Sequence, residues 1–457
     1  MNETVIDELK KIVGEDRILT SKEDLLCYSF DGTPLRKFMP EVVVLPESAD
    51  EISRVCKLAQ KERFFIVPRG AGTSLSGGAV PSEGGLVLSM TKFNKIIEID
   101  IENLTITVQA GVVTEEINKA VEKYGFFYPP DPASVKVSTI GGNVAENSGG
   151  LRGLKYGVTE DYVLGLEVVL PDGDIINTGV KTVKNVAGYN LNKLFIGSEG
   201  TIGIITEILL KLIPVPEYKK TFLVCFDDIS NAASIVSKII SSRIVPATLE
   251  FLDNKTIRCV EEYTKIGLPI NAGALLLIEL DGNKEKVEKD TEKVIEICKK
   301  GKSISVDVAR DEDEALKLTE ARRSALSALA RQKPTIILED VTVPRNKLAE
   351  MVKEIDRISR KFNITIGTFG HIGDGNLHPT CLTDERDENE LKRVEKAFSE
   401  IFEKAIALGG TISGEHGVGI SKKKYLEKMI GSSGIKIMKK IKKVFDPNGI
   451  LNPGKIF

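Results

Sequence analysis

Three things are scarce in this 457-residue chain: histidine, paired cysteine and long apolar runs. No uninterrupted apolar stretch reaches the roughly eighteen residues that a membrane-spanning helix requires. The opening MNETVIDELKKIVG mixes acids, bases and apolar residues, unlike a secretory leader. A soluble, unexported, cytoplasmic protein is therefore expected. The six cysteines, at 27, 56, 225, 259, 298 and 381, form no CxxC pair, which argues against a zinc ribbon or an iron–sulfur cluster and for reduced, buried thiols. One-sided charge is missing too: 63 Lys+Arg face 66 Asp+Glu, so no electrostatic footprint calls for nucleic acid or an acidic membrane surface. A small molecule is the default partner. The three histidines all lie beyond residue 370, inside two short glycine-flanked motifs.

A chain of this length exceeds one hydrophobic core, so two domains or more are expected. Residues 1–37 read as a helical segment. From about residue 38 to 216, short apolar strands such as EVVVLPES and FFIVPRG alternate with glycine-rich turns and the amphipathic helix ADEISRVCKLAQKER. The proline pair in IPVP marks a boundary. Beyond it, from 217 to about 410, strands such as TFLVCF and ALLLIEL alternate with long charged helices, as in an antiparallel-sheet α+β domain. The remaining segment, 411–457, ends in FDPNGILNPGKIF and is expected to pack back on the first domain.

PRGAGTSLSGG, residues 68–78, follows an apolar strand with glycines at 70, 72, 77 and 78. Such spacing lets backbone N–H groups converge on an anion, a pyrophosphate for instance, although a plain glycine turn would read the same way. Neither GxGxxG nor GxxxxGK[ST] is present, which disfavours a Rossmann NAD site and a P-loop. Two more stretches dense in Gly, Ser and Thr, residues 129–159 and 197–207, suggest extended backbone lying against a large flat ligand.

PRGAGTSLSGG, TIGGNVAENSGGLRGLKYG, DYVLGLEVVLPDG and LFIGSEGTIGIITE, with HIGDGNLH and SGEHGVG further on, resemble the FAD-linked D-lactate, glycolate and D-2-hydroxyglutarate dehydrogenases. These are vanillyl-alcohol-oxidase-type flavoproteins, and the resemblance runs from about residue 38 to the end. It implies an α+β fold: a two-part FAD-binding domain of that type, also called the PCMH type, plus an antiparallel-sheet cap domain for substrate. It further implies that Pro68, Arg69, Gly70, Ala71, Gly72, Thr73 and Ser74 hold the FAD pyrophosphate. Pro130, Asp131, Ser134, Thr139, Gly141, Gly142, Gly150, Glu199, Gly200, Ile204 and Asn452 would line the rest of the cofactor. Asn190, in GYNL, departs from the aspartate more usual there. With no histidine in the flavin stretch, histidyl attachment is unavailable and FAD is expected to be non-covalent, cysteinyl attachment being the alternative.

The histidine motifs carry their own geometry. In HIGDGNLH, a two-residue turn at Asp374 and Gly375 would set His371 directly opposite His378, close enough for both imidazoles to share a metal. Cross-strand polar partners would look the same. SGEHGVG puts Glu415 beside His416 between glycines that free the backbone to aim both into one cavity, or to leave them as a solvated loop pair. Two histidines and one carboxylate leave coordination positions open for substrate. The resemblance implies that His371, His378 and Glu415 bind a divalent ion (zinc, manganese or iron) and that His416 is the base.

In EDEALKLTEARRSALSALARQ, read as one helix, Arg322 falls amid the apolar stripe of Ala315, Leu318, Ala325, Leu326 and Leu329, with Arg323 on its polar flank. A guanidinium there needs an anion: the substrate carboxylate, as the resemblance implies, or an acid of the other domain. The function expected is oxidation of a small D-2-hydroxy acid, D-lactate or glycolate first and D-2-hydroxyglutarate as the alternative, by hydride transfer to flavin N5. Electrons would pass to an electron-transfer flavoprotein, iron–sulfur subunits or a quinone-linked carrier. An oxygen-using oxidase and an electron-transfer subunit with a vestigial substrate site are the rival readings, and a homodimer is compatible with all of them.

Overall fold

The computed structural model describes residues 1–34 and 36–457. Its internal contacts divide the chain into two units: residues 1–148, 158–215 and 415–457 form one, while 149–157 and 216–414 form the other.

In the first unit the helix Glu3–Val13 is started by Asn2, whose side chain accepts the Val5 N–H at 2.9 Å. Val5, Leu9 and Val13, four residues apart, share one face and enter the unit's main core. The strand Val42–Val44 lies between Ile18–Leu19, antiparallel, and Leu86–Ser89, parallel, with Ile66–Arg69 parallel on the far side. Such runs are apolar throughout because both faces are covered: Val42, Val44, Ile66, Leu86 and Leu88 join the main core, whereas Val43, Val67 and Val87 form a smaller cluster on the opposite face. A five-stranded antiparallel sheet follows the order Ile96–Asp100, Thr105–Gln109, Ile204–Lys211, Val163–Val169, Ile175–Asn177. The C-terminal tail finishes this unit. Leu451 bridges Ile66 in parallel, and the Asn452 N–H donates to the Ile66 carbonyl at 2.8 Å.

The second unit is built on an eight-stranded antiparallel sheet. Its long strands Tyr218–Phe226 and Ala274–Gly282 pair along their whole length, followed by Thr248–Asp253, Thr365–Gly370 and Asn376–Thr383. Val341–Thr342 takes the end of the last of these, at Asn376 and Leu377. Among the described residues no helix is long and apolar enough to cross a membrane.

Three local expectations change. The arginine-bearing helix is two helices, Glu312–Arg323 and Ala325–Ala330, because the Ser324 hydroxyl donates to the Ala321 carbonyl at 2.7 Å at the break. The histidine hairpin has another register: His378 faces Phe369, and residues 371–375 form the loop. Its backbone is already committed elsewhere, the Gly373 N–H to Leu249 and the Val343 N–H to the Gly375 carbonyl, so no tight turn at Asp374 and Gly375 closes. The cysteines are all free thiols, and five are buried, but Cys27 is exposed.

Candidate active site

The flavin loops of the first unit assemble around contacts that only glycine permits. A Cβ at Gly70 would overlap the Thr139 hydroxyl, which starts the helix Ile140–Glu146 by accepting the Gly142 N–H at 3.4 Å. The Gly141 N–H donates to the Ala110 carbonyl at 2.8 Å. Gly200 packs on the Pro68 ring. The Asn452 amide donates to the Gly78 carbonyl at 3.0 Å and to the Glu199 carbonyl at 2.7 Å, tying the tail to two of the glycine stretches. Pro68, Gly70, Thr139, Gly200 and Asn452 are thus brought together, as motifs far apart in sequence.

Two of the expected residues serve the backbone. The buried Arg69 guanidinium donates to the Ala79 carbonyl at 3.2 Å and lies 5.6 Å from the Tyr28 ring centroid. Burial pulls its pKa down, partly offset by Asp31. The Glu199 carboxylate accepts the N–H groups of Val418 at 2.7 Å and Gly419 at 2.8 Å, holding the loop that carries Glu415 and His416. Pro130 and Asp131 are buried, Ser134 is half-buried, and Ile204 opens a buried strand. Gly150 belongs to the second unit, and Asn190 is exposed. Ser138 Oγ and Asn452 Oδ1 are buried without a hydrogen-bond partner, so this region has polar capacity to spare for a ligand such as FAD.

The second unit holds a compact ionic cluster. Glu250, in the strand Thr248–Asp253 and fully buried, has His371 Nδ1 in hydrogen-bond contact at 2.7 Å on one oxygen and forms an ion pair with Arg322 Nη2 at 2.5 Å on the other. Burial alone would push the Glu250 carboxyl up, but Arg322 and then His371 outweigh it and hold it below the usual value. The Arg322 guanidinium also lies 4.9 Å from the Phe369 ring centroid, and its buried Nε has no hydrogen-bond acceptor among the described residues. The His371 and His378 rings stand edge to face with centroids 5.1 Å apart, despite the longer loop. Glu250 was not singled out from the sequence. The available signal was an acid within TLEFLD, among residues whose neighbours Leu249, Phe251 and Leu252 are core.

Glu415 follows the last residue of that unit, Gly414. Buried Asp340 accepts the Gly414 N–H at 2.8 Å, the Ser413 hydroxyl at 2.8 Å and the Asn376 amide, so the chain enters Glu415 from a fixed point. His371 and His378 stand together in the second unit and Glu415 opens the last segment of the first; the three are residue types that could hold a metal ion. Two imidazoles and a carboxylate suit a divalent transition ion. His416 Nε2 lies 3.7 Å from a Glu415 oxygen.

The architecture is that of the PCMH-type flavoproteins. p-Cresol methylhydroxylase with substrate bound superposes with a TM-score of 0.83 over 99% of this chain and 96% of that one at 19% identity, and 4-ethylphenol oxidase from Gulosibacter chungangensis with 0.82, over the same shares, at 18%. These likenesses establish the fold. Residues 40–179 match the FAD binding domain model, and residues 215–456 match the model of the C-terminal domain of FAD linked oxidases. The chain is 59% identical to the glycolate oxidase subunit GlcD of Bacillus subtilis (strain 168), covering 99% of this chain and 96% of that protein. It is 38% identical to the D-lactate dehydrogenase of Anaerostipes hadrus, covering 99% and 97%. The chain belongs to the FAD-linked oxidase family and is an FAD-dependent oxidoreductase.

Proposed function

We propose that this enzyme oxidises a small D-2-hydroxy acid, glycolate or D-lactate first, to the 2-oxo acid, and passes the electrons to a separate acceptor protein. The observation that carries the reading is Arg322: a buried guanidinium whose Nε has no hydrogen-bond acceptor among the described residues, joined through Glu250 to a histidine of a three-residue donor set. A carboxylate on Arg322 and an adjacent hydroxyl toward His371, His378 and Glu415 describe the two ends of a 2-hydroxy acid. The names of the relatives, a glycolate oxidase subunit and a D-lactate dehydrogenase, support the same substrate class.

Within this reading Arg322 binds and orients the substrate carboxylate, sharing its charge with Glu250. His371, His378 and Glu415 would hold a divalent ion, which when bound would lower the pKa of the substrate hydroxyl. His416, beside Glu415 in the same glycine loop, accepts the hydroxyl proton. Pro68 to Ser74, Thr139 to Gly142, Gly200 and Asn452 hold FAD without a covalent bond. FAD supplies the hydride acceptor. The GlcD name, given to one subunit of an oxidase, supports delivery of electrons to partner subunits.

Anaerobic mixing with a panel of D- and L-2-hydroxy acids tests this. Glycolate or D-lactate should bleach the flavin, and L-lactate should not. Equal bleaching by both enantiomers would remove the stereochemical assignment. No bleaching by any acid would favour an electron-transfer subunit, and rapid peroxide formation in air an oxidase.

A further inference from the structure

We propose that Glu250 is the positioning residue of this site: it holds His371 through Nδ1, which makes Nε2 the nitrogen that would meet the ion, and holds Arg322 with its other oxygen. The proposal rests on the metal reading above and adds a residue to it.

The first support is cost. Glu250 and Arg322 form a buried ion pair, and two well-packed apolar side chains of similar volume in place of both would be as stable or more so. Stability alone therefore gives no reason for the pair here. The second support is geometry. One oxygen faces His371 Nδ1 at 2.7 Å and the other faces Arg322 Nη2 at 2.5 Å, so the two contacts together fix the rotation of the carboxyl plane. An ionised carboxylate only accepts, and its partner nitrogen must therefore carry the proton. The imidazole's second nitrogen is then the one that would meet the ion, the arrangement that orients ligating histidines in general. The third support is the frame around the pair. The Gly373 N–H donates to the Leu249 carbonyl at 3.1 Å, so the loop that begins with His371 is fastened to the residue preceding Glu250. A rotation of the imidazole would have to break the carboxylate contact while its backbone stayed in place.

The test uses the FAD-loaded protein and a chromophoric chelator competing for Mn²⁺ or Zn²⁺. R322M serves as the reference, because removing Glu250 alone would leave a buried guanidinium unpaired and could unfold the unit. Against R322M, the double variant E250L/R322M should bind the ion ten- to a hundredfold more weakly. E250Q/R322M, which retains an acceptor oxygen, should recover part of that loss. Equal affinity of E250L/R322M and R322M would overturn the proposal. A second readout needs no variant: with three histidines in the chain, ¹⁵N-histidine spectra of the ion-free wild type should show His371 protonated at Nδ1. A bare Nδ1 would overturn the proposal as well. Wild-type protein that takes up neither ion while His371 shows the Nδ1–H tautomer would instead sink the metal reading and leave the Glu250 contact standing.

Discussion

Under the proposed function, two histidines of the candidate site have different duties, and truncating each should show it. His378 is buried in the strand Asn376–Thr383 with its ring against those of His371 and Phe369, a place for a ligand held by packing. His416 sits in a glycine loop beside the Glu415 carboxylate, a place for a group that gains and loses a proton. His378→Ala should therefore lose the divalent ion, and added metal should rescue it poorly. His416→Ala should keep the ion and lose roughly a hundred- to ten-thousandfold in kcat, the usual range for removing a general base. Metal analysis of the two purified variants beside their turnover rates checks this; the reverse pattern would exchange the two assignments. At this scale much of the site was legible. Three histidines flanked by glycines are conspicuous, and an arginine on an apolar stripe demands an anion. Glu250 was not legible, because a single acid in a strand looks like an outward-facing residue until the strand's neighbours on both edges are known.

The element scale is where the reading of the sequence slipped. Pairing rules for an isolated hairpin put His371 across from His378, but His378 faces Phe369 and the loop is longer. The Gly373 N–H, which a two-residue turn would use, donates instead to the Leu249 carbonyl, on a strand remote in sequence. The helix around Arg322 broke for a local reason instead, a serine hydroxyl capturing a backbone carbonyl, which periodicity does not weigh. The segment 411–419 was better anticipated, since its glycines do admit contacts closed to other residues. Gly417 has φ +79°, and a Cβ there would overlap Glu146 Oε2 and press on Glu199 Oε1, the atom that accepts the Val418 N–H. Gly417→Ala should displace the backbone next to His416. We expect at least a tenfold fall in kcat/KM with the flavin still bound, and an unchanged kcat/KM would show that the loop has slack.

For the molecule as a whole, the fold class was visible: an α+β chain of the PCMH flavoprotein type. What composition could not convey is that residues 149–157, in the midst of the flavin motifs, pack with the second unit, Lys155 and Tyr156 both engaging Asp281. Attachment of the cofactor is also a property of this scale. The stretch 40–179 contains no histidine, and its single cysteine, Cys56, is buried among aliphatic side chains with its thiol pushed up to about 12. A thiol so protonated is a poor nucleophile. Acid or heat denaturation should therefore release all of the FAD into the supernatant, and yellow colour retained in the pellet would contradict it.

The tail that completes the flavin unit has a consequence for synthesis. A ribosome delivers residues 216–414 before Leu451 and Asn452, so the second unit can close while the first still lacks the bridge to Ile66 and the amide that joins Gly78 to Glu199. If the tail belongs to the FAD site, as proposed, cofactor loading is expected to follow translation. A nascent chain clipped or stalled short of Leu451 would retain a folded sheet of eight strands and no grip on its flavin, a defect that shows as a colourless protein long before it shows as an unfolded one.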